Sequence, residues 1–162
     1  NISAVLYEAI KNDKTIFICG NGGSASQSQH FAGELIGRFI NNRPGFKAIS
    51  LASDTAVISC ISNDYGYEKI FSHQLNALAN ENDILICLST SGQSKNIIEA
   101  FKEASALNLI RIGFFGKKVK NVENLTDHYL IVDSFSTARV QEVHLLSIHA
   151  ICKIIDFQMG YG

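Results

Sequence analysis

Five short apolar runs recur along the chain with amphipathic stretches between them, and this alternation restricts the fold more than any other feature. The runs fall at 15–19, 47–51, 84–88, 110–114 and 128–132. Helices are predicted near 25–40, 54–62, 67–79, 94–108 and 117–124, with a long one near 137–159. Strands this short and apolar, separated by helices, belong to a parallel sheet covered on both faces. Because β–α–β crossovers are right-handed, the pattern predicts an α/β three-layer sandwich: a five-stranded parallel sheet, doubly wound. A length of 162 residues, 46% of them apolar and 18% charged, suits one domain spanning 1–162 and excludes a disordered chain.

Charge and hydropathy narrow the partners. Lys and Arg number 14 against 15 Asp and Glu, a formal net charge of -1, so bulk charge does not hold this chain to nucleic acid. No apolar run approaches the roughly 20 residues that cross a bilayer, and no signal peptide is read at the start, so no membrane partner is expected. The first residue is Asn1, and further N-terminal sequence is expected before it. Cys19, Cys60, Cys87 and Cys152 form no C-x-x-C pair and each lies in an apolar stretch. Buried free thiols are predicted, as suits a reducing cytoplasm, and a zinc knuckle is excluded by the spacing.

The functional signal lies in two loops. IFICGNGGSAS (16–26) and ILICLSTSGQS (84–94) both run from an apolar strand into a Gly/Ser-rich loop and then a helix. Ligands of open α/β sheets bind beyond the carboxyl ends of the strands, so the two loops are expected to face one pocket. Ser89, Thr90, Ser91 and Ser94 place hydroxyls directly before a helix, where the dipole and free N–H groups favour a phosphate. A capped helix start with nothing bound is the alternative. The loop from Gly20 to Ala25 fits G-x-G-x-x-A, but Asp54 is a late and poorly placed candidate for the ribose-binding acid. A nicotinamide-dinucleotide enzyme is therefore the weaker reading.

His30 and Glu34 lie four apart on the helix after the first loop, with Arg38 extending the same face. Such a pair can bind metal, act as acid and base, or stand solvated. On the last helix Gln141 and His149 are about 80° and about 12 Å apart, demanding for one metal. His149 sits among Leu145, Ile148 and Ile151, where a satisfied core histidine is the alternative reading. The same helix is apolar over much of its circumference, which predicts packing between subunits.

The motifs CGNGGSASQSQHFAGELIGRF, ISNDYGYE, LSTSGQS and ARVQEVHLLSIH, in that order, closely resemble phosphoheptose isomerases. These bacterial sugar-isomerase (SIS) domain enzymes, of flavodoxin-like architecture, interconvert sedoheptulose 7-phosphate and D-glycero-D-manno-heptose 7-phosphate in heptose synthesis. The resemblance implies a homotetramer with pockets near subunit borders, and an extra N-terminal helix of which residues 1–12 hold a part. It also implies that Asn21, Gly22, Gly23 and Ser24 line the sugar end and that Asn63 and Asp64 contact substrate hydroxyls. Ser89, Thr90, Ser91 and Ser94 would hold the phosphate. His30, Glu34, Gln141 and His149 match zinc-binding positions, one ion per subunit; Glu34 and Gln141 would also touch substrate, and Arg38 would orient Glu34. Glu34 and His149 are the expected acid/base pair. Ala138 stands where the isomerases often carry an acid. A non-catalytic branch that binds the replication initiator protein tends to have alanine there, but typically lacks the equivalents of Glu34 and His149. With both present, an active enzyme is expected.

Overall fold

The computed structural model describes residues 1–117, 119 and 121–162, with backbone alone at 122 and 123. Its elements run α1 (Ile2–Lys11), β1 (Ile16–Gly20), α2 (Gly23–Ile36), β2 (Ala48–Ser50), α3 (Thr55–Tyr65), α4 (Ser72–Leu78) and β3 (Ile84–Ser89). They continue with α5 (Lys95–Ala106), β4 (Ile110–Gly116), α6 (Val122–Leu125), β5 (His128–Val132) and α7 (Thr137–Gln158). The five strands are all parallel, in the order β2-β1-β3-β4-β5. The order therefore reverses between β1 and β3. Both Gly/Ser loops leave the sheet at that point, where a crevice opens in doubly wound folds.

Side-chain alternation in the strands sorts the core into two layers. Ile16, Ile18, Ile84, Ile86, Ile112 and Phe114 meet Leu6 of α1, Phe31 and Leu35 of α2, and Ile148 and Ile155 of α7. On the other face Phe17, Cys19, Leu85, Cys87 and Phe115 meet Ile61, Leu75, Ile97 and Phe101 of α3, α4 and α5. Each large apolar side chain buried in this way contributes about 1.5–3 kcal/mol. The first layer matters most for function, because it seats α2 and α7 side by side on one face.

Several boundaries differ from expectation for local reasons. α2 ends at Ile36 rather than near 40, because Gly37 leaves helical geometry at ψ -103. α3 runs on to Tyr65, capped at its start by Asp54 accepting from the Val57 N–H. Asn63 and Asp64 thus occupy its last turn, before Gly66 at φ 92. The helix expected over 67–79 is a 3-10 turn at Tyr67–Lys69 followed by α4. Of the helix expected over 117–124, the short α6 is seen, and positions 118 and 120 lie outside the described residues. Cys60 corrects the thiol reading: it is exposed on α3, whereas Cys19, Cys87 and Cys152 are buried and all four are free. Burial pushes the Cys152 thiol up to about 12, with Glu34 and Asp156 adding to the shift.

Candidate active site

The first loop is held by side chains that local spacing does not reveal. Asn21 Nδ2 donates to Asn96 Oδ1 at 2.9 Å, and Asn96 Nδ2 donates back to Asn21 Oδ1 at 2.8 Å. The Tyr67 hydroxyl donates to the same Asn21 oxygen at 3.0 Å. Asn96 is buried in the first turn of α5, so this amide pair ties the loop after β1 to the helix after β3. Expected at the sugar end, Asn21 here has its side chain committed to that staple. Tyr67 and Asn96 were missed by sequence reading, although one lies inside ISNDYGYE and the other just after LSTSGQS.

In the second loop Ser89 Oγ accepts from the Gly92 N–H at 3.0 Å, and Ser91 Oγ accepts from the Gln93 N–H at 3.2 Å. Gly92 has φ +65, and a Cβ there would lie 2.6 Å from Val119 Cγ2, so the turn requires glycine. Ser94 stands at the N-cap of α5 yet makes no side-chain cap bond. The Ser89 and Ser91 hydroxyls thus serve the turn, and Ser94 marks the start of α5 without capping it through its side chain. The first N–H groups of a helix have no intrahelical acceptor, and Ser94 stands at that end of α5.

α2 and α7 bring three expected residues together. His30 Nε2 lies 2.8 Å from His149 Nε2 and 3.3 Å from Glu34 Oε1. The donor atoms of His30, Glu34 and His149 all lie within 4.8 Å of one another. Ligand atoms of a tetrahedral zinc site are about 3.3–3.4 Å apart at ordinary zinc–nitrogen and zinc–oxygen lengths. Two imidazoles and a carboxylate converging on one point match that donor chemistry. The rings of His30 and His149 pack edge to face at 5.1 Å, with Phe39 5.8 Å from His149.

The remaining expected residues sit elsewhere. Gln141 lies over the start of α2, where its Nε2 donates to Ser24 Oγ at 3.5 Å. A Cβ on Gly23 would come within 2.7 Å of that amide, so glycine makes the room for it. Arg38, beyond the end of α2, does not extend the His30–Glu34 face; its Nη1 donates to Ile40 O at 2.9 Å. The arginine that touches Glu34 is Arg43, whose Nη2 donates to the Glu34 carbonyl at 2.7 Å. Asn63 and Asp64 are exposed, with Asn63 Nδ2 donating to Asp64 Oδ1 at 2.8 Å.

The core histidine of α7 is His144, not His149. His144 is fully buried, its Nε2 is 3.3 Å from Phe115 O, and its Nδ1 has no partner among the described residues. Burial holds its pKa below the ordinary 6.5. Above about 6.5 both states carry a neutral ring; below it the unfolded chain takes up a proton that the folded chain refuses. Stability is therefore expected to decline as pH falls from 6.5 towards the lowered folded value. Urea midpoints at about pH 7.5 and about pH 5.5 check this, and the decline should be smaller in His144→Leu.

Comparison with known proteins gives the family and the fold. The SIS domain family model matches residues 1–116, which sets the class as a sugar-isomerase domain. The phosphoheptose isomerase of Campylobacter jejuni serotype O:6 is 51% identical over 152 residues, 94% of this chain and 82% of the relative. That of Helicobacter pylori strain P12 is 47% identical, over 94% of this chain and 79% of the relative. The structure of a phosphoheptose isomerase from Francisella tularensis superposes with a TM-score of 0.91 at 37% identity, covering 96% of this chain and 83% of that one. The Neisseria gonorrhoeae enzyme gives 0.89 at 40% identity with the same coverage. The chain belongs to the phosphoheptose isomerase family, and it is an isomerase.

Proposed function

We propose that Glu34 and His149 carry the interconversion of sedoheptulose 7-phosphate and D-glycero-D-manno-heptose 7-phosphate through an enediol. The observation that carries this reading is the convergence of a carboxylate and two imidazoles on the α2–α7 flank, on the helix that starts from one of two anion-type loops. Aldose–ketose exchange needs a base at carbon and a proton carrier at the two oxygens. Glu34 takes the proton from C1 of the ketose and returns it at C2, while His149 moves a proton between O1 and O2. Its side chain is 21% exposed, which leaves Glu34 accessible to substrate yet partly shielded from water. The test is incubation with sedoheptulose 7-phosphate and detection of the aldose. Wild-type turnover that persists undiminished in Glu34→Gln and His149→Asn would overturn the roles given to these residues.

The hydroxyl loop would hold the phosphate through Ser89, Thr90, Ser91 and Ser94, while Gly22, Gly23 and Ser24, with Asn63, Asp64 and Gln141, would line the sugar. An anchor far from the reacting carbons is used equally in ground and transition states. Ser91→Ala is therefore expected to raise KM several-fold, by about 1 kcal/mol of lost binding, with kcat little changed. Steady-state kinetics separate the two.

The donor set also fits zinc. Of the four expected ligands, His30, Glu34 and His149 would hold one ion per subunit, Gln141 being turned towards Ser24 instead, and zinc bound there would supply a Lewis acid for the substrate oxygens. Exhaustive chelation is expected to reduce turnover by about 10²-fold or more, restored by added zinc. Unchanged activity after chelation would leave the same residues as plain acid and base.

A homotetramer is the proposed assembly. Ile36, Ile40, Leu146 and Phe157 stand 53%, 55%, 68% and 75% exposed on the α2–α7 side, a surface that a neighbouring subunit would cover. The cytoplasm is the proposed compartment, supported by four free thiols. Among the described residues no helix is long and apolar enough to cross a membrane.

A further inference from the structure

We propose that Arg43 and Asp156 form a positioning clamp that sets the separation of α2 and α7 at the His30–Glu34–His149 cluster, an inference that rests on the isomerase reading above. The Arg43 side chain is 0% exposed and that of Asp156 is 5% exposed. Arg43 Nε donates to Asp156 Oδ1 at 2.7 Å. Its other nitrogens donate to Glu34 O at 2.7 Å, Leu35 O at 2.9 Å and Pro44 O at 3.0 Å. The guanidinium lies 3.9 Å above the Phe46 ring.

A buried ion pair is weak evidence for stability, since apolar residues of similar volume often do as well. What the pair supplies is geometry. The planar fork of arginine reaches two helix carbonyls and a carboxylate at once, and a lysine ammonium does not reproduce that pattern.

The gripped carbonyls belong to Glu34 and Leu35, at the end of α2 where helix carbonyls lack intrahelical partners. Asp156 follows His149 by about two turns of α7 and lies within about 20° of the same stripe. At the other side of the cluster Gln27 Nε2 donates to Gln141 O at 2.7 Å. The two helices are thus tied on both sides of the point where His30, Glu34 and His149 meet. Displacements of about 1 Å between reacting groups cost on the order of 10²-fold in rate.

The experiment compares Arg43→Lys and Asp156→Asn with the wild type, at a temperature where circular dichroism shows all three folded. Turnover of sedoheptulose 7-phosphate and binding of inorganic phosphate are both measured. The clamp predicts a fall in kcat of about 10–10²-fold in each variant, with KM and phosphate affinity within about threefold of wild type. Near-wild-type kcat with only a lowered melting temperature would overturn it, as would equal losses in kcat and phosphate affinity, which mark general loosening. An inactive wild type would instead remove the isomerase reading itself.

Discussion

Glu34→Gln is expected to lower kcat by about 10²-fold or more while the substrate still binds. Glutamine keeps the volume and the acceptor oxygen of the side chain but cannot take a proton from carbon. Glu34 sits in the last full turn of α2, with its carbonyl held by Arg43 and its carboxylate 3.3 Å from His30 Nε2. The backbone is therefore fixed independently of the carboxylate, and the substitution should leave melting within about 1 kcal/mol of the wild type. Steady-state kinetics and a binding titration on the same preparation check both halves of the expectation.

His149→Asn is expected to have an effect on kcat of similar size, about 10²-fold. Asparagine has no titratable nitrogen to carry a proton between the substrate oxygens. The contacts seen for the ring are His30, 2.8 Å away, and Phe39, so the fold should persist. The same substitution at His144, buried under Phe115 and edge-on to Phe114, should instead act mainly on stability. If Glu34→Gln and His149→Asn both retain near-wild-type kcat, the two positions are structural. The site would then have to be rebuilt around Asp64, since His144 is buried in the core.

The strands were legible because a doubly covered parallel sheet writes itself as apolar runs, and all five fall within a residue or two of expectation. Helix ends were less so. α2 stops at Ile36 because Gly37 turns the chain and Arg43 takes the Glu34 and Leu35 carbonyls, and no i, i+4 pattern announces either event. That early stop removes Arg38 from the helical face on which spacing had put it. Local spacing did place His30 and Glu34 on one face, since helical neighbours are set by the 3.6-residue repeat. Their meeting with His149, 119 residues beyond His30, is a tertiary fact. The same holds for Asn21 with Asn96 and Arg43 with Asp156, which lie 75 and 113 residues apart. That His144 is the core residue, and not His149, depends on which side of α7 faces the sheet, and periodicity alone does not decide that.

Sedoheptulose 7-phosphate incubated with the protein in deuterium oxide, followed by proton NMR, shows whether Glu34 works through an enediol. Glu34 is partly open to solvent, so a proton it takes from C1 should exchange before it is returned. The expected product is the aldose 7-phosphate with deuterium at C2. Unconsumed ketose, or aldose formed with no deuterium at that carbon, would contradict it.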